Sequence, residues 1–452
     1  MRQPKLPDIL APDFRTEPFW WQDAPLNPGD RAPLPERVEV VVIGSGYCGL
    51  TTALELARAG VRTAVLDAGA LGSGASTRNG GMVGGAVRLD GRDLARRYGA
   101  ARADALQEGF LASFEHLEGV IAREDLDAAY QCCGRLTLAC NRHHFRKQQE
   151  QVQGLAERAR DAVRIVEGAA LADEIGSDHY CGGVLVERSS GLHPARYHQS
   201  LRQAAARAGA VLCGHAEVRA LQRTVRGFAL ATARGRIEAE QAVIATNGYT
   251  GALTPELRRR VIPVKSYMIA TEALAPALAE RLSPRQRMFV DSNRILAYFR
   301  LCPDGRRVLF GGRLHLTDVD ERASALALYR RMVAVWPELD GVRLTHAWQG
   351  SIAITFDHLP HVGDHLPHVG DQLPHMGSRG GLHFAMGCNG SGVAMAGYLG
   401  HQIAQKLLGR QQRPCPFEGP FPGHPLYRGR PWFRPAVGAW YSLRDVLDGV
   451  LR

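Results

Sequence analysis

The most informative alternation of apolar and polar positions lies between residues 41 and 67. A β-branched run, Val41-Val42-Ile43, breaks into Gly44-Ser45-Gly46-Tyr47-Cys48-Gly49 and then into the helix-forming stretch Thr51 to Gly60. A second apolar run, Val61-Arg62-Thr63-Ala64-Val65-Leu66, ends in Asp67, eighteen residues past Gly49. The pattern predicts strand, glycine turn, helix and strand in succession. Further on, 91–170 alternates helical stretches with a strand at Gly134–Cys140. An Ala/Arg-rich helix follows Pro194 as far as Gly209, and a strand at Ala210–Cys213 leads into a β-meander through Phe228–Thr232 and a strand at Ala242–Thr246. Strands recur from Val261 to about Leu344 with a helix over Ala323–Met332, a last strand is expected at Leu382–Met386, and a last helix begins near Gly392.

The spacing Gly44, Gly46, Gly49 fits a dinucleotide site. Gly44 permits the tight turn, Gly46 lets the backbone approach a pyrophosphate, and Gly49 lets helix and strand pack closely. The helix N-terminus offers amide donors to the anion. Asp67 stands where such folds place the carboxylate that binds a ribose hydroxyl, so a 2′-phosphate fits badly. These features leave FAD and NAD equally open. The next segment, Gly72-Ser73-Gly74-Ala75-Ser76-Thr77-Arg78-Asn79-Gly80-Gly81, is a small-residue loop suited to close backbone approach to a flat ligand.

With this loop the sequence resembles the flavin-dependent amine and amino-acid oxidases of the D-amino-acid oxidase superfamily, and within it the group that acts on gamma-glutamylated polyamines. Gly191-Leu192-His193-Pro194, Ala242–Tyr249, Ala297-Tyr298-Phe299-Arg300, Phe310-Gly311-Gly312-Arg313, Ala347-Trp348-Gln349-Gly350 and Gly387-Cys388-Asn389-Gly390-Ser391-Gly392-Val393 come in the family's order. The resemblance implies an α/β fold: a discontinuous Rossmann-type FAD-binding domain (37–90, 191–260 and 345–410) with an inserted α+β substrate domain carrying an antiparallel sheet (91–190 and 261–344). Residues 1–36 then form a proline-rich arm that docks through Phe19-Trp20-Trp21, compatible also with an oligomer contact, and 411–452 a C-terminal extension.

The same resemblance implies that FAD is held, non-covalently, by Gly44, Gly46, Tyr47, Cys48, Gly49, Asp67, Ala68, Gly74, Ala75, Ser76, Arg78, Asn79, Gly80, Gly81, Val218, Thr246, Asn247, Gly387, Asn389, Gly390, Ser391, Gly392 and Val393. Relatives with covalent flavin use a cysteine near the equivalent of 351–356, where this chain has none. Hydride transfer from the carbon beside a neutral amine requires no dedicated protein base. Candidate substrate contacts are Arg300, as a carboxylate clamp, and Tyr298 and Trp348, as aromatic walls. Two departures stand out: Thr77 where relatives more often have glycine, and Arg313 where oxidases of the sarcosine type place an oxygen-activating lysine. The acceptor is therefore O2 or another electron acceptor such as a quinone or partner flavoprotein. A D-amino-acid or glycine-type dehydrogenase and a catalytically silent flavoprotein subunit are the alternatives to an amine oxidase.

Composition narrows the classes. At 452 residues the chain can bury a large core. No apolar run is long enough to span a bilayer, and Met1–Asp8 lacks a signal-peptide pattern, so a cytoplasmic enzyme is expected. The net charge of +10 comes without a basic run interleaved with aromatics, which argues against nucleic acid and for a field that draws in anionic FAD and substrate carboxylates. Nine cysteines without a C-x-x-C motif fit reduced thiols. A tandem repeat over Asp357–Gly377 brings His358, His361, His365 and His368 close in sequence, but a proline in every copy prevents one helical ligand face, so a solvated loop and no metal is the expectation.

Overall fold

The computed structural model describes residues 6–84, 90–155, 157–312, 319–363 and 380–450, and within them the chain builds two large sheets and one short two-stranded pairing. In the first sheet five parallel strands lie in the order Val211–Cys213, Thr63–Leu66, Arg37–Ile43, Gly235–Ile244, Leu382–Met386. Their continuous apolar runs reflect burial on both faces: Val41, Val42, Val65 and Val243 have no exposed surface. Gly235–Ile244 is long enough to serve twice. Its first half pairs antiparallel with Gly227–Thr232 in the meander, and its second half fits between Arg37–Ile43 and Leu382–Met386. Helices Tyr47–Arg58, Pro194–Arg207 and Gly392–Leu407 contribute to the core on one face of this sheet.

The second, nine-stranded sheet is mixed and open. Near one edge of it Val261–Thr271 runs antiparallel to Leu344–Thr355, from Val261 opposite Thr355 to Thr271 opposite Leu344. Leu344–Thr355, at the start of the segment 345–410 that the resemblance assigns to the FAD-binding domain, pairs along its whole length with Val261–Thr271 in this sheet. The segment 91–190 is likewise shared. Strands Arg135–Ala139, Val163–Val166 and Gly182–Val186 extend the nine-stranded sheet, whereas Leu106, Phe114 and Leu117 of helix Ala100–Glu124 pack into the core of the nucleotide-binding body. Beneath the large sheet, Phe289, Phe299 and Phe310 stack in series and Trp336 meets Phe289 and Phe299 edge-on. The proline-rich segment is more ordered than an extended arm: Leu10–Arg15 adds a parallel strand beside Leu344–His346, and Phe19–Trp21 forms a 3-10 turn with Trp20 fully buried.

All nine cysteines are free thiols, and Cys132 is exposed. No helix among the described residues is long and apolar enough to cross a membrane. Arg313, His365 and His368 lie outside the described residues. His361 does not reach outward for an ion: its Nε2 rests 3.1 Å from both carboxylate oxygens of Asp357.

Candidate functional site

At the C-terminal ends of the parallel strands lies a cavity of about 610 Å³, within the roughly 300–1,000 Å³ usual for small-molecule sites. The glycine turn forms its floor. Gly44 has φ +109°, and a Cβ there would lie 2.8 Å from the Ala245 carbonyl oxygen; at Gly46 it would meet Ser76 Oγ at 2.9 Å, and at Gly49 the Gly44 oxygen at 1.9 Å. Helix Tyr47–Arg58 starts at Gly46 with no side-chain cap, so the cavity faces its amide end.

Asp67, at the end of Thr63–Leu66, takes the Ser45 N–H and hydroxyl on Oδ2 at 2.9 and 2.6 Å and the Gly69 N–H on Oδ1 at 3.0 Å. Its carboxylate retains lone pairs toward the cavity it lines. Tyr47, Cys48, Ala68, Gly74, Ala75, Ser76, Val218, Thr246 and Asn247 line the same cavity, as do Gly44 and Gly46. Gly49 lies behind it, locking helix to strand.

The loop 72–81 leaves this wall and is fixed by indoles and backbone carbonyls. Trp20 Nε1 donates to the Asn79 carbonyl at 2.8 Å, and Trp348 Nε1 to the Arg78 carbonyl at 2.8 Å. Trp21 Nε1 donates at 3.0 Å to Thr77 Oγ1, which itself donates to the Gly72 carbonyl at 2.6 Å. The hydroxyl that marked Thr77 as unusual is thus the acceptor for an indole of the proline-rich segment. Arg78 stacks over Trp21 and donates Nε to the Ser73 carbonyl, while Asn79 braces the turn through the Ala75 and Ser76 carbonyls and the Gly81 N–H. Gly80 makes room for the Tyr298 ring, 3.0 Å from where a Cβ would stand.

The last glycine-rich segment meets the site from the other side. Asn247 Oδ1 accepts from the Gly387 N–H at 2.9 Å, and Asn389 Oδ1 from the Thr355 N–H at 2.9 Å, so Asn389 ties this turn to the large sheet. Gly387 and Gly390 have φ of +81° and +90°. Ser391, Gly392 and Val393 open helix Gly392–Leu407, also without a side-chain cap. Only Cys388 of this segment lines the cavity, and burial pushes its thiol up to about 12.

The three candidate substrate contacts sit differently. The Tyr298 hydroxyl shares a 2.9 Å hydrogen bond with Ser266 Oγ. Trp348 is fully buried. Arg300 is buried too, with Nε on the Leu301 carbonyl at 2.8 Å and Nη1 on the Gly81 and Leu192 carbonyls at 3.0 and 3.1 Å. Burial lowers it to about 10. Its geometry fastens the end of the flavin-loop candidate to the segment after Gly191 rather than presenting a fork to solvent.

His198 gave no signal in the sequence. Buried on helix Pro194–Arg207, it bonds through Nε2 to the Ser45 carbonyl at 2.7 Å and fills the space a side chain at Gly72 would need. No local pattern reports this contact, because its partner lies 153 positions away. Tyr249, whose ring stands 3.4 Å from a Cβ built at Gly74, also emerges only from the fold.

A family model described as "DAO: FAD dependent oxidoreductase" matches residues 39–406. The chain is 29% identical over 413 residues to gamma-glutamylputrescine oxidoreductase of Escherichia coli (strain K12), covering 90% of this chain and 93% of that protein. Among solved structures, glycine oxidase from Geobacillus kaustophilus superposes with a TM-score of 0.68 at 22% identity, covering 86% of this chain and 100% of that one. L-proline dehydrogenase from P. horikoshii gives 0.64 at 20% identity, covering 85% and 98%.

Two outcomes follow from this geometry. Trp20→Ala removes a buried indole and leaves the Asn79 carbonyl unpaired, which should destabilise the protein by about 3–5 kcal/mol; denaturant unfolding measures it, and an unchanged midpoint would contradict the anchoring role. Burial also lowers His116, His193, His198 and His346 to about 4. The unfolded chain protonates first as pH falls through about 6.5, so their stabilisation, complete above that pH, is lost progressively toward pH 4. Asp291, raised by burial to about 6, acts in the opposite sense over the same range. The melting temperature should therefore fall on acidification from pH 6.5 to 4, less steeply in His198→Gln.

Proposed function

This chain belongs to the DAO family of FAD dependent oxidoreductases, and from that premise we propose that it oxidises the C–N bond of an amine or amino acid, with gamma-glutamylated polyamines as the leading substrate class. The observation that carries the substrate class is the similarity to gamma-glutamylputrescine oxidoreductase over 90% of the chain.

The residues present fit the cofactor. The glycine turn is a cradle that any Cβ would fill, and the uncapped start of helix Tyr47–Arg58 suits a pyrophosphate. Asp67 would take ribose hydroxyls, while Val218, Thr246 and Asn247 close the adjoining wall. The loop 72–81 and the turn 387–392 would border the ring system. When bound, FAD supplies a two-electron acceptor for the hydride on the carbon bearing the amine, and the resulting imine is hydrolysed by water to a carbonyl compound and the released amine or ammonia.

The chain's own contribution is placement and field. The indoles of Trp20, Trp21 and Trp348 hold the loop rigid, so that a bound substrate carbon meets a fixed partner. The amide end of helix Gly392–Leu407, with no acidic residue in its first turn, favours negative charge developing nearby. Cys388 stays a protonated thiol at neutral pH, which supports non-covalent attachment. Tyr298, backed by Gly80 and Gly311, is the candidate wall for the substrate chain. Arg300 we assign as a positioning residue rather than a carboxylate clamp, since both hydrogen-bonding sides with assigned partners hold backbone carbonyls.

The reading is tested by recording the visible spectrum of the flavin-loaded protein anaerobically while adding gamma-glutamylputrescine, then amino acids and secondary amines. Bleaching by gamma-glutamylputrescine is the expected result, and recolouring on admitting air marks O2 as acceptor; slow recolouring that a quinone accelerates marks a dehydrogenase. A flavin that no amine bleaches would overturn the proposal and favour a silent subunit. For Arg300→Met, flavin content should fall while KM of the retained holoenzyme changes less than about threefold; a carboxylate clamp would instead raise KM by roughly 100-fold with flavin content intact.

A further inference from the structure

Among the described residues, one group of metal-ligating side chains converges: Glu55, His116 and His401 each offer a donor atom, and these atoms all lie within 4.8 Å of one another. Each comes from a different helix, Tyr47–Arg58, Ala100–Glu124 and Gly392–Leu407. We propose that the three form a structural site for one divalent transition-metal cation of the zinc class, with water completing the coordination.

Two imidazoles and a carboxylate suit such an ion. His401 Nδ1 lies 2.7 and 2.8 Å from the two Glu55 oxygens, and Gln405 Nε2 donates to Glu55 Oε2 at 2.9 Å, which orients the carboxylate. The independent observation is His116. Its Nε2 is buried without a hydrogen-bond partner, and its ring centre lies 4.7 Å from that of His401. A buried imidazole nitrogen with nothing to bond is costly, and a metal ligand resolves that cost.

Tetrahedral zinc places its donors roughly 3.3 Å apart, so capture requires the most distant donors to close by at most about 1.5 Å and the hydrogen-bonded His401–Glu55 pair to open by roughly 0.5 Å. All three residues keep partial exposure, which leaves an entry path. Capture through His401 Nδ1 replaces its hydrogen bond to Glu55 and leaves the imidazole proton on Nε2, with no change of oxidation state. The ion would clamp the helix that starts at the glycine turn to the helix that starts at the 387–392 turn. These two already touch where Gly400, lacking a Cβ, admits the Cys48 carbonyl and accepts from Thr52 Oγ1 at 3.1 Å.

The test uses the flavin-loaded protein after chelator treatment, titrated with zinc sulfate alone and followed by calorimetry, melting temperature and metal content per chain. One zinc per chain with a raised melting temperature is expected. In His116→Asn and His401→Asn, affinity at that step should fall at least 100-fold and the melting shift should vanish, whereas His361→Asn, in the histidine-rich repeat, should behave as the parent. Flavin absorbance and the metal-free melting temperature report folding of each variant, and Glu55→Gln replaces any that loses flavin. No zinc uptake by the parent protein, or undiminished uptake by folded variants, would overturn the proposal.

Discussion

Everything at the site depends on a backbone approach that tolerates no side chain. The Gly44 carbonyl lies 1.9 Å from where a Cβ at Gly49 would stand, and the Ala245 carbonyl 2.8 Å from where one at Gly44 would stand. These contacts pull the first strand, its helix and the strand Gly235–Ile244 into one rigid turn, and that turn sets the cavity floor. Asp67 then locks the turn from the neighbouring strand through both donors of Ser45, and His198 holds the Ser45 carbonyl from the opposite side. Ser45, fully buried, is therefore gripped by two elements that the chain brings together from far apart.

The two sheets meet through hydrogen bonds as well as through apolar packing. Asn389 reaches from the parallel sheet's last turn to Thr355 at the end of a strand of the large sheet, and Trp348 on that strand donates to the loop 72–81. Arg300, on another strand of the large sheet, binds the carbonyl of Gly81. A residue that the sequence presents as a substrate clamp is in the fold a cationic rivet for uncharged carbonyls. This explains how a guanidinium is buried without an anion: three oriented peptide dipoles replace its hydration.

The legible part of the site was the part whose constraint is local. Gly44, Gly46, Gly49 and Asp67 declare themselves because turn, helix start and strand end are all written within 24 residues. The strand Leu382–Met386 is visible for the same reason, and the strand expected at Ala242–Thr246 is the end of the longer Gly235–Ile244. What could not be read was pairing at long range. The contacts of Trp20 and Trp348 with the loop span 59 and 270 positions, and neither indole differs locally from an ordinary core aromatic. That the strand Leu344–Thr355 pairs with Val261–Thr271 is likewise not written locally, because an apolar run does not name its partner. The proline-rich segment showed its aromatics but not that Leu10–Arg15 would lie beside that strand.

That last pairing sets an order of assembly. Leu10 lies opposite Leu344, 334 residues later, and synthesis at about 5–20 residues per second separates the two by roughly 17–67 s. During that interval the glycine turn, Asp67 and the loop 72–81 already exist, yet Trp20 and Trp21 are still tethered to a segment that has no sheet edge to join. Leu10–Arg15 can take its place beside Leu344–His346 only once that late strand has been made, although the loop its neighbouring indoles grip is made early. The native fold thus joins segments 334 positions apart at the same sheet edge that steadies the loop 72–81.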